Sequence, residues 1–181
     1  MNVAARPAVD ADASAIADIA EAIRDELAPL RGGAVLLAQQ DRRATRRSDD
    51  VTAAEPSDGV LSAVFVGTID DVVVGIATVA VEELLDGSRL GVVRELGVLV
   101  GARGVGVGEA MLDEVLAFCR REGCRGIDSY ALPGTRETKN FFETFGFTAR
   151  LLVVHSNLAD EPGQRAEAEG PGLRSAASEL P

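Results

Sequence analysis

The sequence predicts one α/β (α+β) domain, and three observations carry that expectation. Runs rich in β-branched residues sit beside segments whose apolar residues recur at helical spacing. Two such runs flank Asp70-Asp71, a short acidic turn that reads as a hairpin. Three closely spaced glycines lie between an apolar strand and an amphipathic helix. At 181 residues the chain is long enough for one domain with a sizeable core and short for two. With 46% hydrophobic and 26% charged residues it has the balance of a globular protein rather than a disordered one.

Asn2 to Arg6 reads as a first strand, followed by Pro7 and an acidic turn at Asp10 and Asp12. Ile16, Ile19, Ala20, Ile23 and Leu27 then recur at helical spacing, in a helix that should stop near Pro29. Ala34 to Gln40 is too short for its period to decide between helix and strand. Gln40 to Gly59, rich in Arg, Asp, Ser and Ala, reads as a solvated loop. Val60 to Thr68 and Val72 to Glu82 form the hairpin, and Gly91 to Val100 supplies the next strand. Glu109 to Arg121 places Met111, Leu112, Val115, Leu116 and Cys119 on one helical face, with Gly123 positioned to end the helix. Ile127 to Leu132 returns as a strand, Pro133-Gly134 breaks it, Thr135 to Phe145 reads as a helix, and Phe147 to Ser156 as a last strand. The domain is expected to span residues 1–156. Residues 157–181, with hardly an apolar anchor, are expected to form a disordered tail.

A formal charge of -11 argues against nucleic acid and against acidic lipid surfaces, and favours cationic partners such as amines. Cys119 and Cys124 lack the CxxC spacing or histidine companions of a metal or redox site, so no metal is expected and both read as reduced, structural thiols. No stretch reaches the ~18 consecutive apolar residues of a membrane span, and no N-terminal segment has secretory form; the expected address is the cytoplasm.

The informative segment is Arg103-Gly104-Val105-Gly106-Val107-Gly108. Glycines here allow the backbone to turn sharply, so that successive N–H groups at a helix N-terminus point into one concavity suited to a pyrophosphate, with the Arg103 charge beside it. Gly101 and Gly106 have the glycine spacing of a P-loop, but Val107 stands where that loop needs lysine. A dinucleotide fingerprint beginning at Gly104 and Gly106, with Asp128 as ribose acceptor, meets Glu109 at its third glycine position.

The run from Glu95 to Gly108 resembles motif A of the GNAT acetyltransferases, whose core is Arg or Gln, two residues, Gly, one residue, then Gly or Ala; Arg103, Gly106 and Gly108 fill it. Asn140 to Phe147 is similar to the family's other signature, an aromatic pair and Glu ending in Gly-Phe. The resemblance implies a GNAT-like mixed, mostly antiparallel central sheet flanked by helices and splayed between the two strands either side of the Gly-rich loop. Acetyl-CoA, or another acyl-CoA, would lie in the gap. Backbone amides of Val105, Gly106, Val107, Gly108 and Glu109 would hold its pyrophosphate together with Arg103 and Gly104. Backbone groups of Val98 and Val100 would pair with the pantetheine amides, and an amide near Leu99 would polarise the thioester carbonyl. Dimerisation is common in the family, though the sequence fixes no interface.

Amine acylation needs a neutral amine, support for the developing oxyanion and a tolerable leaving group. Glu95, on the strand beside the expected cleft, is the first candidate for the base, against an ion pair with Arg94 or a neighbouring strand. The family's aromatic pair often carries a tyrosine that protonates the departing thiolate; Phe142 stands there instead. Tyr130, the only tyrosine, is the candidate substitute, against a packing role. Thr135, in a place where many relatives have Asn, and Phe142 are by the same resemblance expected to contact the acyl-CoA. His155 has no evident nucleophile near it in sequence. Three functions remain open: acyl transfer from acyl-CoA to a small-molecule or peptide amine, a catalytically weak or inactive acyl-CoA-binding regulatory module, and an interaction domain without cofactor.

Overall fold

The computed structural model of the protein describes residues 1–44 and 61–158, with side chains to residue 39 in the first stretch. The chain forms β1 (Val3–Pro7), a short 3-10 turn (Asp10–Asp12), α1 (Ala13–Leu27), α2 (Gly33–Ala44), β2 (Ser62–Ile69), β3 (Val72–Glu83), β4 (Arg89–Val98), a second 3-10 turn (Val100–Ala102), α3 (Val107–Arg121), β5 (Cys124–Asp128) and α4 (Arg136–Thr144). The strands make one sheet in the order β1-β2-β3-β4-β5. The first three pairings are antiparallel and the β4–β5 pairing is parallel, which requires the crossover that α3 provides. The mixed, mostly antiparallel sheet flanked by helices is therefore as expected.

The apolar stripe of α3 covers one face. Val107, Met111, Leu112, Val115, Phe118 and Cys119 are all buried and recur at helical spacing, so one side of the helix spans all five strands. Met111 lies in a notch left by two glycines: a Cβ on Gly75 would sit 2.8 Å from its Cε, and one on Gly67 2.9 Å from its Sδ. On the opposite face α1 presses Ile19 and Ile23 against Ile76 of β3. Asp70 and Asp71 join β2 to β3 at φ of +47° and +67°, the left-handed pair that a two-residue hairpin turn requires.

Four elements depart from the sequence-based expectation. The undecided stretch after residue 34 is helical, and α2 runs on to Ala44, into what reads as loop; the rest of that loop and the tail beyond 158 lie outside the described residues. β4 ends at Val98, not Val100, because the chain turns there into the 3-10 segment. β5 begins at Cys124 and ends at Asp128, rather than spanning Ile127 to Leu132: Gly123, at φ +72°, stops α3 and delivers the chain to the sheet at once. Phe147 to Ser156 is not a strand. Its composition suits one, but a strand needs a neighbour for its backbone groups, and no described strand pairs with it.

The strand-to-helix entry is held by a charge pair. Asp12, itself buried, accepts from Arg6 Nη1 at 2.6 Å and Nη2 at 2.9 Å, and from the Val9 amide at 2.9 Å. The Arg6 hydrogen bonds hold the Asp12 carboxyl below its ordinary range, outweighing desolvation. A depressed carboxyl stabilises the fold above its unfolded-state pKa, and that contribution is lost as pH falls through the folded value. Asp12→Asn is expected to cost about 2 kcal/mol at pH 7. In urea unfolding, the gap between variant and parent should close as the pH drops below the ordinary aspartate range.

Candidate functional site

β4 keeps β3 as its partner along its length but pairs with β5 only over Arg89–Val92, opposite Cys124–Asp128. Just beyond, the β3–β4 register slips: Thr78 faces Glu95 and Val79 faces Val93, leaving Arg94 as an extra residue in β4. Such a bulge bends its strand and increases its twist. From Glu95 to Val98 the strand has β3 on one side and no β5 on the other, which is the expected splay.

The open edge has a definite polarity. The Leu99 amide donates to the Val74 carbonyl at 2.9 Å, so the carbonyl of Val98, opposed to it across the same peptide plane, points away from β3. Alternation along an antiparallel strand then aims the backbone groups of both Leu96 and Val98 at the gap. Leu99's own amide is occupied and cannot polarise a thioester carbonyl. Val100 lies outside the strand and is 73% exposed. Leu96 and Val98, rather than Val98 and Val100, therefore turn their backbone groups to the gap, where the Val98 carbonyl already accepts from Arg103.

At the end of this edge, Gly104 and Gly106 adopt left-handed φ of +76° and +97°, and Gly106 caps α3. The space beside each is open, so it is the conformation that demands glycine there. Amides of Gly104, Val105, Gly106, Val107, Gly108 and Glu109 have no backbone acceptor among the described residues. They sit at the positive end of a 15-residue helix, an arrangement fit for a phosphate anion. Gly108 is glycine for another reason: a Cβ there would lie 3.3 Å from the Phe141 ring of α4. The two family-like signatures, over thirty residues apart, meet at this contact.

Arg103 does not offer a free charge to the cradle. Its Nε donates to the Val98 carbonyl at 2.8 Å, and Nη1 and Nη2 grip the Glu26 carboxylate of α1 at 2.8 and 2.5 Å. This pair holds the Glu26 carboxyl below its ordinary range. Arg103 is a brace from the loop to both β4 and α1. Sequence reasoning missed Glu26, because nothing local relates it to a loop 77 residues away.

Glu95 is half-buried, and desolvation pushes its carboxyl above the ordinary glutamate range, partly offset by the Arg24 charge. Arg94 pairs with Glu82 instead, so the Arg94–Glu95 ion pair is not formed. Two residues on, on the same side of β4, a Cβ on Gly97 would collide with Ile23: α1 is seated directly on the strand beside Glu95. Tyr130 follows the end of β5 rather than lying on it and is 49% exposed. Phe142 is buried against Phe141 and Phe147, so it belongs to the core and not to the cofactor surface. The Thr135 hydroxyl donates to the Leu132 carbonyl at 2.6 Å, inside the turn before α4. His155 is exposed. Burial pushes the Cys119 thiol up to about 12, which keeps it protonated and unreactive. Among the described residues no group of three or more His, Cys, Asp or Glu is arranged for a metal, and no helix is long and apolar enough to cross a membrane.

A splayed mixed sheet with an amide cradle at its parting defines a class of fold, and comparison with known proteins identifies it. Residues 61–149 match the family model of the acetyltransferase (GNAT) domain, a span that includes the bulged strand, the glycine loop and the aromatic helix. Residues 61–149 are thus a GNAT acetyltransferase domain. No curated protein matches it. Among solved structures it is similar to an acetyltransferase of Trypanosoma brucei (21% identity, TM-score 0.56, covering 87% of this chain and 100% of that one). It also resembles AAC(6')-Iy in complex with a CoA-containing bisubstrate analogue (19%, 0.58, 87% and 98%). A third is a transcriptional regulator of Bacillus halodurans C-125 (17%, 0.58, 86% and 99%). Identities this low establish the shared fold.

The brace is testable by charge reversal. Since both side chains are more than two-fifths exposed, Arg103→Glu or Glu26→Arg alone should cost only about 0.5 to 1 kcal/mol. The double reversal should recover most of that loss, measured as coupling in a double-mutant cycle of urea unfolding.

Proposed function

We propose that the protein is an acyl-CoA-dependent N-acyltransferase that moves an acetyl group from acetyl-CoA to a primary amine by direct attack. The observation that carries this reading is the coincidence of three features at one parting of the sheet. These are the outward backbone groups of Leu96 and Val98, the amides of Gly104 to Glu109, which find no backbone acceptor among the described residues, and the desolvated carboxyl of Glu95.

When bound, the cofactor supplies the acyl group as a thioester, whose thiol has a pKa near ~8.5 and leaves acceptably as thiolate. The amides of Gly104 to Glu109 hold the diphosphate, with the α3 dipole behind them. The outward backbone groups of Leu96 orient the pantetheine arm along the open edge of β4. The Val98 N–H, directed into the gap, is the nearest fixed dipole for the oxyanion that forms as nitrogen attacks the carbonyl carbon. The N–C bond forms and the C–S bond breaks. The ammonium proton passes to Glu95, directly or through one water, and then to solvent. With Phe142 buried, no side chain at the family's usual place protonates the thiolate; Tyr130, half-exposed beyond β5, is the remaining phenol. The acceptor is a small-molecule or peptide amine drawn by the net charge of -11, and a cytoplasmic address belongs to the same proposal.

Thiol release from acetyl-CoA across an amine panel tests the activity. The buried Phe142 also favours a second reading, a module that binds acyl-CoA without turnover and regulates a partner. Tight binding without thiol release would select it.

Two variants separate the parts of the site. Gly106→Val forces a β-branched residue to φ +97° and should weaken CoA binding at least tenfold by calorimetry, with the fold intact because the side chain meets open space. Glu95→Gln should lower kcat/KM by about 10²-fold. In the parent, kcat/KM should rise with pH through a value above the ordinary glutamate range and then level off. Stability runs the other way: a carboxyl raised by burial is protonated more readily when folded than when unfolded, so its ionisation destabilises the fold as pH rises. Glu95→Gln should therefore leave Tm at pH 7 unchanged or raise it.

A further inference from the structure

At the far end of α3 from the amide cradle, the fold brings together two groups that the proposed acyl transfer does not use. The helix ends on Arg121, Glu122 caps it, and Gly123 turns the chain at φ +72°. The Gly123 amide donates to the Arg120 carbonyl at 3.2 Å, one of the bonds that close a left-handed helix cap. In such a cap the residue after the glycine packs against the third residue from the end of the helix. Here those two positions are Cys124 and Cys119. No short cysteine motif announces the pair; the turn between helix and strand makes it.

The sheet register supports the same juxtaposition. Cys119 Sγ fills a notch at Gly91, where a Cβ would lie 2.5 Å from the sulfur and 3.4 Å from Ile127. Residues two apart on a strand share a face, so Arg89 and Gly91 both look toward α3. Their partners across the parallel pairing, Cys124 and Ile127, look the same way. Cys124 is accordingly packed against the cluster that contains Cys119.

The two thiols differ in what they can do. Cys119 is buried, whereas Cys124 is half-buried and so open to a small solute. They share a hydrogen bond that keeps the proton on Cys119 and favours the thiolate on Cys124. Burial raises the Cys124 thiol, against the pull of that hydrogen bond and of the Arg89 charge. Cys124 is therefore the sulfur that meets an oxidant first, and Cys119 the one waiting behind it.

We propose that Cys119 and Cys124 form a reversible oxidation site that takes a hydroperoxide and closes to a disulfide within one chain. The Cys124 thiolate attacks the peroxide oxygen and the O–O bond breaks. The oxygen that leaves takes up the proton Cys124 gave up, so the peroxide is reduced while the sulfur becomes a sulfenic acid. The Cys119 sulfur then attacks the sulfenyl sulfur, the S–S bond forms, and the hydroxyl departs with the Cys119 proton as water. A dithiol reductant returns both thiols.

The test treats the folded full chain with millimolar hydrogen peroxide at pH 8, then denatures it and alkylates the remaining thiols. The two cysteines should fall to no free thiol at monomer mass, with two hydrogens lost, and a dithiol should restore both. An unchanged thiol count, disulfides found only between chains, or Cys124 driven to sulfinic acid with Cys119 still free would overturn the proposal. A cyclic 1,3-dione, which traps sulfenic acid, should label Cys124 in Cys119→Ala and nothing in Cys124→Ala; label on Cys119 in the second would refute the assigned order. The measurement on the parent holds however those variants fold. The oxidised chain should also melt no lower than the reduced one, because a Tm several degrees lower would mean that the bond forms only by distorting the cap.

Discussion

Where β4 passes Thr78 it carries one residue more than its partner can match, and much of the site follows from how that excess is absorbed. Arg94 is squeezed into a bulge, the strand bends, and its parallel partner β5, which follows it as far as Val92, does not continue alongside. An interior strand thereby acquires a free edge in the middle of a sheet. Free backbone donors and acceptors in such a place are costly unless something pairs with them. A ligand with amides spaced like a peptide would satisfy them, as the proposed function requires.

The glycine loop solves a second electrostatic problem. On an acidic chain it presents dipoles rather than ionised side chains. Hydrogen bonds to a charged group contribute about 1.5 to 3 kcal/mol each, and the surface acidity beyond a Debye length of ~8 Å is largely screened. Arg103, the one cation of the motif, is neutralised by Glu26 and tied to the Val98 carbonyl. Its role is mechanical: it fixes the loop to the strand with the open edge and to the helix that roofs that strand.

Much of this architecture could be read from residue order. Helical spacing located α1 and α3, the acidic pair located the β2–β3 turn, and the glycine loop fell where a strand hands over to a helix. The missing parts are those that arise between segments. The bulge at Arg94 depends on register against β3, which no local pattern encodes. The Arg103–Glu26 brace joins positions that only packing brings together. The start of β5 is illegible in sequence because Cys-Arg-Gly looks unlike a strand, and pairing with β4 overrides that weak propensity. The opposite error occurred at Leu151–Val154, where strong propensity meets no partner within the described chain. The motif gives Phe142 its place in sequence, whereas its burial is set by Phe141 and Phe147 closing around it.

Glu95 and Gly97 express one constraint between them. For α1 to exclude water from the carboxyl, it must lie close to β4, and Gly97 permits this by leaving room for Ile23 where any side chain would collide. The same closeness makes the ionised carboxyl less stable than it would be in solvent, raising its proton affinity toward the range useful for taking a proton from an ammonium group. Arg24, on the same helix, limits that shift, so α1 both creates the low-dielectric environment and moderates it. Because Glu26 lies one turn beyond Ile23 and braces the glycine loop through Arg103, displacement of α1 would disturb Glu95 and the amide cradle together. The helix is in this sense the shared support of two otherwise separate halves of the site.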